Sequence, residues 1–240
     1  MISLPEQLIA AAEQLRDETE RLRFGPPITH VYNPLVYAWA GHKMYLERFG
    51  RTRKDVIFLG MNPGPFGMAQ TGAPFGEVAA VRDWMKIEGD ILKPAKEHPK
   101  RPIRGFACRR SEVSGRRLWG LFAGKFGSAE AFFARHFVVN YCPLAFMNSK
   151  GANCTPDKLP RAEREPLERA CAAHLRATLE LLQPKWIVGV GKFAERHAQT
   201  AADGLGIKAG CIPHPSPANP SANRDWAGQA AAQLRALEIW

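Results

Sequence analysis

Two Gly/Pro-rich segments carry the side chains best suited to chemistry. The first, residues 60–76, reads GMNPGPFGMAQTGAPFG and holds five glycines and three prolines in seventeen positions. Proline fixes φ and glycine opens positive φ, so this is a shaped loop rather than a slack one. Asn62 is the one polar side chain among its first nine residues. A carboxamide in such a frame orients a water or a ligand amide through its donor–acceptor pair, but it is no general base at neutral pH. The alternative is a structural turn in which Asn62 bonds its own backbone. The second segment, residues 214–226, reads HPSPANPSANRDW. His214 precedes Pro215, which holds it extended. A histidine there either donates a hydrogen bond to a developing negative charge or is a capped structural residue. Pro215, Pro217 and Pro220 stiffen the rest of the segment, giving a wedge for a duplex or a plain rigid turn.

The elements that must position these loops read as α/β. Four short apolar runs, Val56–Leu59, Phe137–Asn140, Trp186–Val190 and Gly210–Pro213, are bounded by Gly, Pro or charge and have the look of buried strands. Helical patterns cover 3–23, 34–49 (capped by Asn33, with Pro34 in the first turn), 77–86, 115–126, 161–182 and 192–204, and a last helix follows Ser221 to about Leu237. Strands alternating with helices predict a mostly parallel sheet. Ligands bind beyond the C-terminal ends of such strands, and both loops fall there. Asn140 ends the second run, where its amide can read a base edge. Phe75 closes the first loop and is placed either to stack on a base or to pack in the core. Gly189-Val190-Gly191-Lys192 lacks the first Gly and the Ser/Thr of a phosphate loop and reads as a tight strand-to-helix turn. His214, Ser216 and Asp225 lack the G-x-S-x-G elbow of a serine hydrolase.

Composition narrows the partner. The chain has 240 residues, 45% hydrophobic, enough for a full core. No run approaches a membrane span and no signal-peptide pattern opens the chain, so the expected location is intracellular, cytoplasmic if bacterial and nuclear if eukaryotic. Five widely spaced cysteines without C-x-x-C predict neither disulfides nor a zinc site. The net charge of +10 suits a polyanion. Residues 93–117 hold Lys93, Lys96, Lys100, Arg101, Arg104, Arg109, Arg110, Arg116 and Arg117 against Glu97 and Glu112, nine minus two, so the excess is clustered. Such a cluster is either a phosphate-facing surface or a solvated loop.

Taken together, GMNPGPFGMAQTGAPFGEV (60–78) and HPSPANP (214–220) closely resemble the single-strand-selective monofunctional uracil-DNA glycosylases of the uracil-DNA glycosylase superfamily. The likeness extends through YNPLVYAW (32–39), EHPKRP (97–102), SEVSGRRLWG (111–120), NYCPLAF (140–146) and VGVG (188–191). It implies a three-layer α/β/α sandwich with a central, mostly parallel four-stranded sheet, residues 1–240 forming one domain with N-terminal helices over 3–50 packed on the core. It implies a monomer, without cofactor or metal, that removes uracil and 5-modified uracils from DNA. By position, Asn62 resembles the residue that positions the attacking water, and His214 the one that bonds uracil O2 as charge builds. Asn140 resembles the residue reading the N3/O4 edge and Phe75 the stacking aromatic. The Met61 backbone lines the pocket, and Gly64 leaves room beside C5. Lys150, Asn153 and Thr155, with Pro215, Ser216, Pro217, Ala218, Asn219 and Arg224, correspond to DNA-contacting positions. With no Asp or Glu in the first loop, no strong general base is evident, and a dissociative path is expected. No lysine lies in either loop, so no Schiff-base lyase step is expected. Ala218 and Ala152 stand where the family pattern carries basic residues, which implies weaker duplex invasion through these loops, with Arg224 and Lys150 compensating. Two other readings remain open: a superfamily enzyme preferring hypoxanthine or xanthine, and a non-catalytic DNA-binding protein. The presence of both Asn62 and His214 argues against the latter.

Overall fold

The computed structural model describes residues 2–220 and 222–240. In chain order its elements begin with α1 (Leu4–Glu20), β1 (Ile28–Tyr32), α2 (Pro34–Tyr37), α3 (Trp39–Phe49), β2 (Val56–Gly60) and α4 (Met68–Thr71). The middle of the chain forms α5 (Val113–Phe126), α6 (Ala129–Phe133), β3 (His136–Asn140), β4 (Ala145–Asn148) and β5 (Asn153–Cys154). It ends with α7 (Arg161–Leu182), β6 (Trp186–Val190), α8 (Lys192–Ala202), β7 (Lys208–Ile212) and α9 (Ala222–Ala236).

The four apolar runs are the four strands of one sheet, in the order β3-β2-β6-β7, and all their pairings are parallel. All five residues of β2 are buried, as expected of a central strand covered by helices on both faces. On one side α1 packs along α7, which meets α8; on the other α5 joins α6 and α9. α1 is set by a capping box, in which the Ser3 amide donates to Glu6 Oε2 (2.7 Å) and the Glu6 amide to Ser3 Oγ (3.4 Å). It buries Leu8, Ala12, Leu15 and Thr19, one helical face. The edge strand β3 is sealed from α3: the Tyr45 hydroxyl donates to the Val138 carbonyl (2.9 Å) and receives the Val138 amide (3.3 Å). Because the strands run the same way, Gly60, Asn140, Val190 and Ile212 end at one edge of the sheet.

Several expectations are corrected. The strand expected at Gly210–Pro213 is Lys208–Ile212; Pro213 has no amide to extend the ladder. The helix expected over 34–49 is broken at Ala38 (φ −110°, ψ 26°). The helix expected over 77–86 is a short segment finishing in a π turn at Ala80–Trp84, closed where the Ile87 amide reaches back to the Val81 carbonyl with Lys86 at φ +55°. A second, antiparallel sheet of β1, β4 and β5 was not foreseen, and it places Lys150 in the turn of a β4–β5 hairpin and Asn153 in β5. α6 was not foreseen either. The last helix runs from Ala222 with a kink at Asp225, and Ser221 lies outside the described residues. No helix among the described residues is long and apolar enough to cross a membrane.

His42 gives the fold an acid limit. It is 7% exposed, its Nδ1 lies 2.9 Å from the Gly72 carbonyl, and it faces His174. Burial lowers its pKa from 6.5 to about 4. The folded pKa is below the unfolded one, so the stabilisation is present above pH 6.5 and is lost as pH falls toward 4. At about 1.4 kcal/mol per unit, His42 should contribute about 3 kcal/mol to the stability that denaturant titrations lose across this window, alongside His136, His174 and His197, whose pKa values burial also lowers to about 4. A stability that stays flat from pH 6.5 to 4 would contradict a buried, neutral His42.

Candidate active site

One pocket opens where the four strands end. Met61, Asn62, Gly64, Phe75, Asn140 and His214 all line it, joined by Asn153, Thr155, Ser216 and Glu112. The two loops singled out in the sequence therefore face each other across one cavity.

The first loop is locked in place before any ligand arrives. Beyond the end of β2 the ladder continues, with the Tyr141 amide donating to the Gly60 carbonyl and the Cys142 amide to the Met61 carbonyl, both at 2.9 Å. Asn62 does not bond its own backbone: its Nδ2 donates to the Leu144 carbonyl (3.1 Å), which leaves Oδ1 as the acceptor for a ligand or water. Gln70 is fully buried and binds the loop to the basic segment, donating to the Pro65 carbonyl (2.9 Å) and accepting the amides of Arg104 (2.8 Å) and Gly105 (3.1 Å). Phe75 sits at φ +50°, a costly conformation for an aromatic residue. Its carbonyl is held there by the Trp119 indole (3.0 Å) and the Glu77 amide (2.7 Å). A Cβ on Gly60 would meet Asn140 Oδ1 at 2.4 Å and the Phe75 ring at 2.5 Å. Glycine is what lets that amide and that ring converge on the strand end.

The last loop fixes the chemistry of His214. The Ser216 amide donates to His214 Nδ1 (3.1 Å), so the proton of the neutral ring is on Nε2. Burial pushes its pKa below the ordinary histidine value. The ring is thus a neutral donor. Around it the backbone is tied down: Asn219 Nδ2 donates to the His214 carbonyl (3.2 Å), Trp226 Nε1 to the Pro213 carbonyl (2.7 Å) and Arg117 Nη1 to the Pro215 carbonyl (2.8 Å). Gly191, read from sequence as a turn residue, does more. It adopts φ +92° and ψ 165°, and a Cβ there would lie 3.0 Å from the His214 Cβ.

The residues expected at DNA divide. Asn153, Thr155 and Ser216 line the pocket, and Pro217 and Ala218 are exposed beside it. Lys150 and Ala152 are exposed at the β4–β5 hairpin tip, whose turn is closed by Asn148 Oδ1 accepting both of their amides at 3.0 Å. Pro215 is buried, so it serves the loop's interior rather than a duplex. Arg224 lies in a separate groove between α5 and α9 with Arg116, Arg117 and Arg235. The basic segment is partly committed to the fold: Arg101 and Arg110 both stack on Phe66 of the first loop (5.5 and 4.3 Å to its centroid), and Arg117 also reaches Asn223.

Glu112 was missed. The expectation of no acid near the site came from the first loop alone, yet the residue preceding α5 brings a carboxyl into the pocket. It fills the space Gly64 was expected to leave open: a Cβ on Gly64 would lie 1.8 Å from Glu112 Oε1. Burial, reinforced by Glu77 and opposed by the Gly115 amide, pushes its pKa up to about 7. The only sequence signal was its place within SEVSGRRLWG. No lysine lines the pocket.

Such a cavity brings together an aromatic ring, two side-chain amides and a neutral imidazole donor, groups able to stack on a planar heterocycle and to donate to a negative charge. The model of the Uracil DNA glycosylase superfamily matches residues 47–235, which defines the class. Single-strand selective monofunctional uracil-DNA glycosylases of Rattus norvegicus and Mus musculus are each 46% identical over 239 residues, 99% of this chain and 86% and 85% of theirs. The protein of the same name from Bos taurus is 45% identical over 99% of this chain and 88% of its own. The crystal structure of wild-type Pedobacter heparinus SMUG2 superposes with a TM-score of 0.66 at 17% identity, covering 96% of this chain and 99% of that one, a likeness of fold. The chain belongs to the single-strand-selective monofunctional uracil-DNA glycosylase family of that superfamily.

Gly191→Ala tests the packing behind His214. An L residue at this φ/ψ costs of order 2 kcal/mol, and at ~3 °C per kcal/mol for a chain of this size the melting temperature should fall by about 6 °C. An unchanged melting temperature would show that Gly191 is not required by its conformation.

Proposed function

We propose that the protein hydrolyses the N-glycosidic bond of uracil and of 5-modified uracils such as 5-hydroxymethyluracil, in single- and double-stranded DNA, leaving an abasic site with the strand intact. The observation that carries this reading is the pair of free polar atoms facing one pocket: Asn62 Oδ1, freed because Nδ2 is bound to Leu144, and His214 Nε2–H, fixed because Nδ1 is bound by Ser216. A flipped uracil stacks on Phe75, its N3–H and O4 meet the Asn140 amide, and O2 meets His214 Nε2. The bond from C1′ to N1 breaks first, and its electron pair leaves with the base, giving an oxocarbenium sugar and a uracil anion. His214 is neutral before reaction and donates to O2 as the negative charge grows there. A water that donates a hydrogen bond to Asn62 Oδ1 then adds to C1′ through its oxygen, and the proton it loses is balanced by the one the uracil anion takes up from solvent, so that abasic sugar and neutral uracil are the products. Without an amine in the pocket no imine forms at C1′, which agrees with a monofunctional enzyme. Asn153, Thr155 and Ser216 hold the flanking strand, with Pro217 and Ala218 nearest the gap that the flipped base leaves.

The test is release of base from single- and double-stranded oligonucleotides carrying uracil, 5-hydroxymethyluracil, hypoxanthine or xanthine, followed by alkali. Uracil release with strand breakage only after alkali is expected. Breakage without alkali would contradict monofunctional hydrolysis, release of purines alone would move the protein to another base, and binding without release would make it non-catalytic. His214→Ala and Asn62→Ala should each lower uracil excision about a hundredfold, the ordinary loss for one preorganised group. Either variant within threefold of the wild type would remove that residue from its role. Excision should also fall as acid protonates His214, because a proton on Nδ1 breaks the Ser216 bond that orients the ring; a rate rising into acid would contradict a neutral donor.

A further inference from the structure

Glu112 is the one carboxyl among the residues lining the pocket, and neither the water step nor the leaving-group step uses it. Its placement is specific. The carboxyl lies in a trough floored by two glycines: Oε1 is 1.8 Å from where a Gly64 Cβ would be, and Oε2 is 2.1 Å from the same point on Gly67. Any side chain at either position would expel it. Oε2 is buried and makes no well-formed hydrogen bond among the described residues. The side chain does not cap α5, although Glu112 stands at the capping position. With only the Gly115 amide near it, and not at good bonding geometry, this buried carboxyl is under-satisfied, which is costly unless a ligand completes it.

The edges of the base determine which part it meets. Passing around a pyrimidine from the sugar-bearing N1, O2 falls to His214, N3 and O4 fall to Asn140, and the face is covered by Phe75. The edge that remains is C5–C6, and the lining carboxyl that has no part in those contacts is Glu112, seated against Gly64. We propose that Glu112 is a specificity-determining residue that hydrogen-bonds a hydroxyl carried on C5 of the flipped base. This rests on the base orientation given under the proposed function. A hydroxymethyl group supplies both a donor and an acceptor, so it completes the carboxyl whether or not Glu112 carries its proton, and its raised pKa keeps both forms within reach at neutral pH. A methyl at C5 presses against the same carboxyl and offers it no hydrogen bond, which disfavours thymine, whereas the bare C5–H of uracil leaves room beside it.

The measurement is a ratio of kcat/KM values on single-stranded oligonucleotides, 5-hydroxymethyluracil over uracil, within each preparation, so that any unfolded fraction cancels. Glu112→Ala should lower this ratio at least tenfold. Glu112→Gln, which keeps a donor and an acceptor in the trough, should hold it within threefold of the wild type. A ratio unchanged in Glu112→Ala, or lowered equally in both variants, would overturn the assignment. Wild-type protein that releases uracil but not 5-hydroxymethyluracil would overturn this inference and the 5-modified part of the proposed function while leaving uracil excision standing. Release of neither base would instead strike at the proposed function itself.

Discussion

At the end of the central strand Gly60 has no side chain, and Asn140 Oδ1 and the Phe75 ring occupy the space one would need. The contact depends on the parallel register that sets Gly60 opposite Asn140. It brings an amide from the neighbouring strand against an aromatic ring from a loop fifteen residues further along. Slipping the register by one residue would turn Asn140 to the other face of the sheet. The fully buried β2, the Tyr45 clamp on β3 and the Trp119 bond to Phe75 all act to prevent such a slip. Preorganisation here is a property of sheet geometry and close packing, not of flexible loops finding a substrate.

The same approach recurs on the opposite wall. Gly191 permits His214 to lie against the start of α8, and Gly64 with Gly67 permits Glu112 to lie against the first loop. In each case a glycine stands behind a polar side chain rather than presenting anything itself. The polar groups are then oriented by backbone partners: Leu144 for Asn62, Ser216 for His214. Hydrogen bonds from the main chain move less than those from side chains, so each reactive atom inherits the rigidity of the strand ends.

How far the sequence could be read depended on where the information lay. The four central strands were legible because burial on both faces leaves short, unbroken apolar runs. The antiparallel sheet was not, because β4 and β5 have four and two residues and make no pattern of their own. That Asn62, His214, Asn140 and Phe75 come together at one sheet edge was legible because each stands beside a strand end or within a Gly/Pro frame. Glu112 was illegible because it directly follows the exposed stretch Arg109-Arg110-Ser111, while its neighbours in space are the glycines of a distant loop. Pro215 looked like part of a rigid protrusion, yet it is buried and its carbonyl is taken by Arg117. The charge cluster was visible, but not that Arg101 and Arg110 would spend part of their reach on Phe66.

α5 touches both halves of the pocket. Glu112 at its start abuts the first loop, Trp119 carries the Phe75 carbonyl, and Arg117, between them in sequence, carries the Pro215 carbonyl of the last loop. A single helix is thus keyed into both loops that border the cavity, so the width between them is set by one rod and not by two independently placed segments.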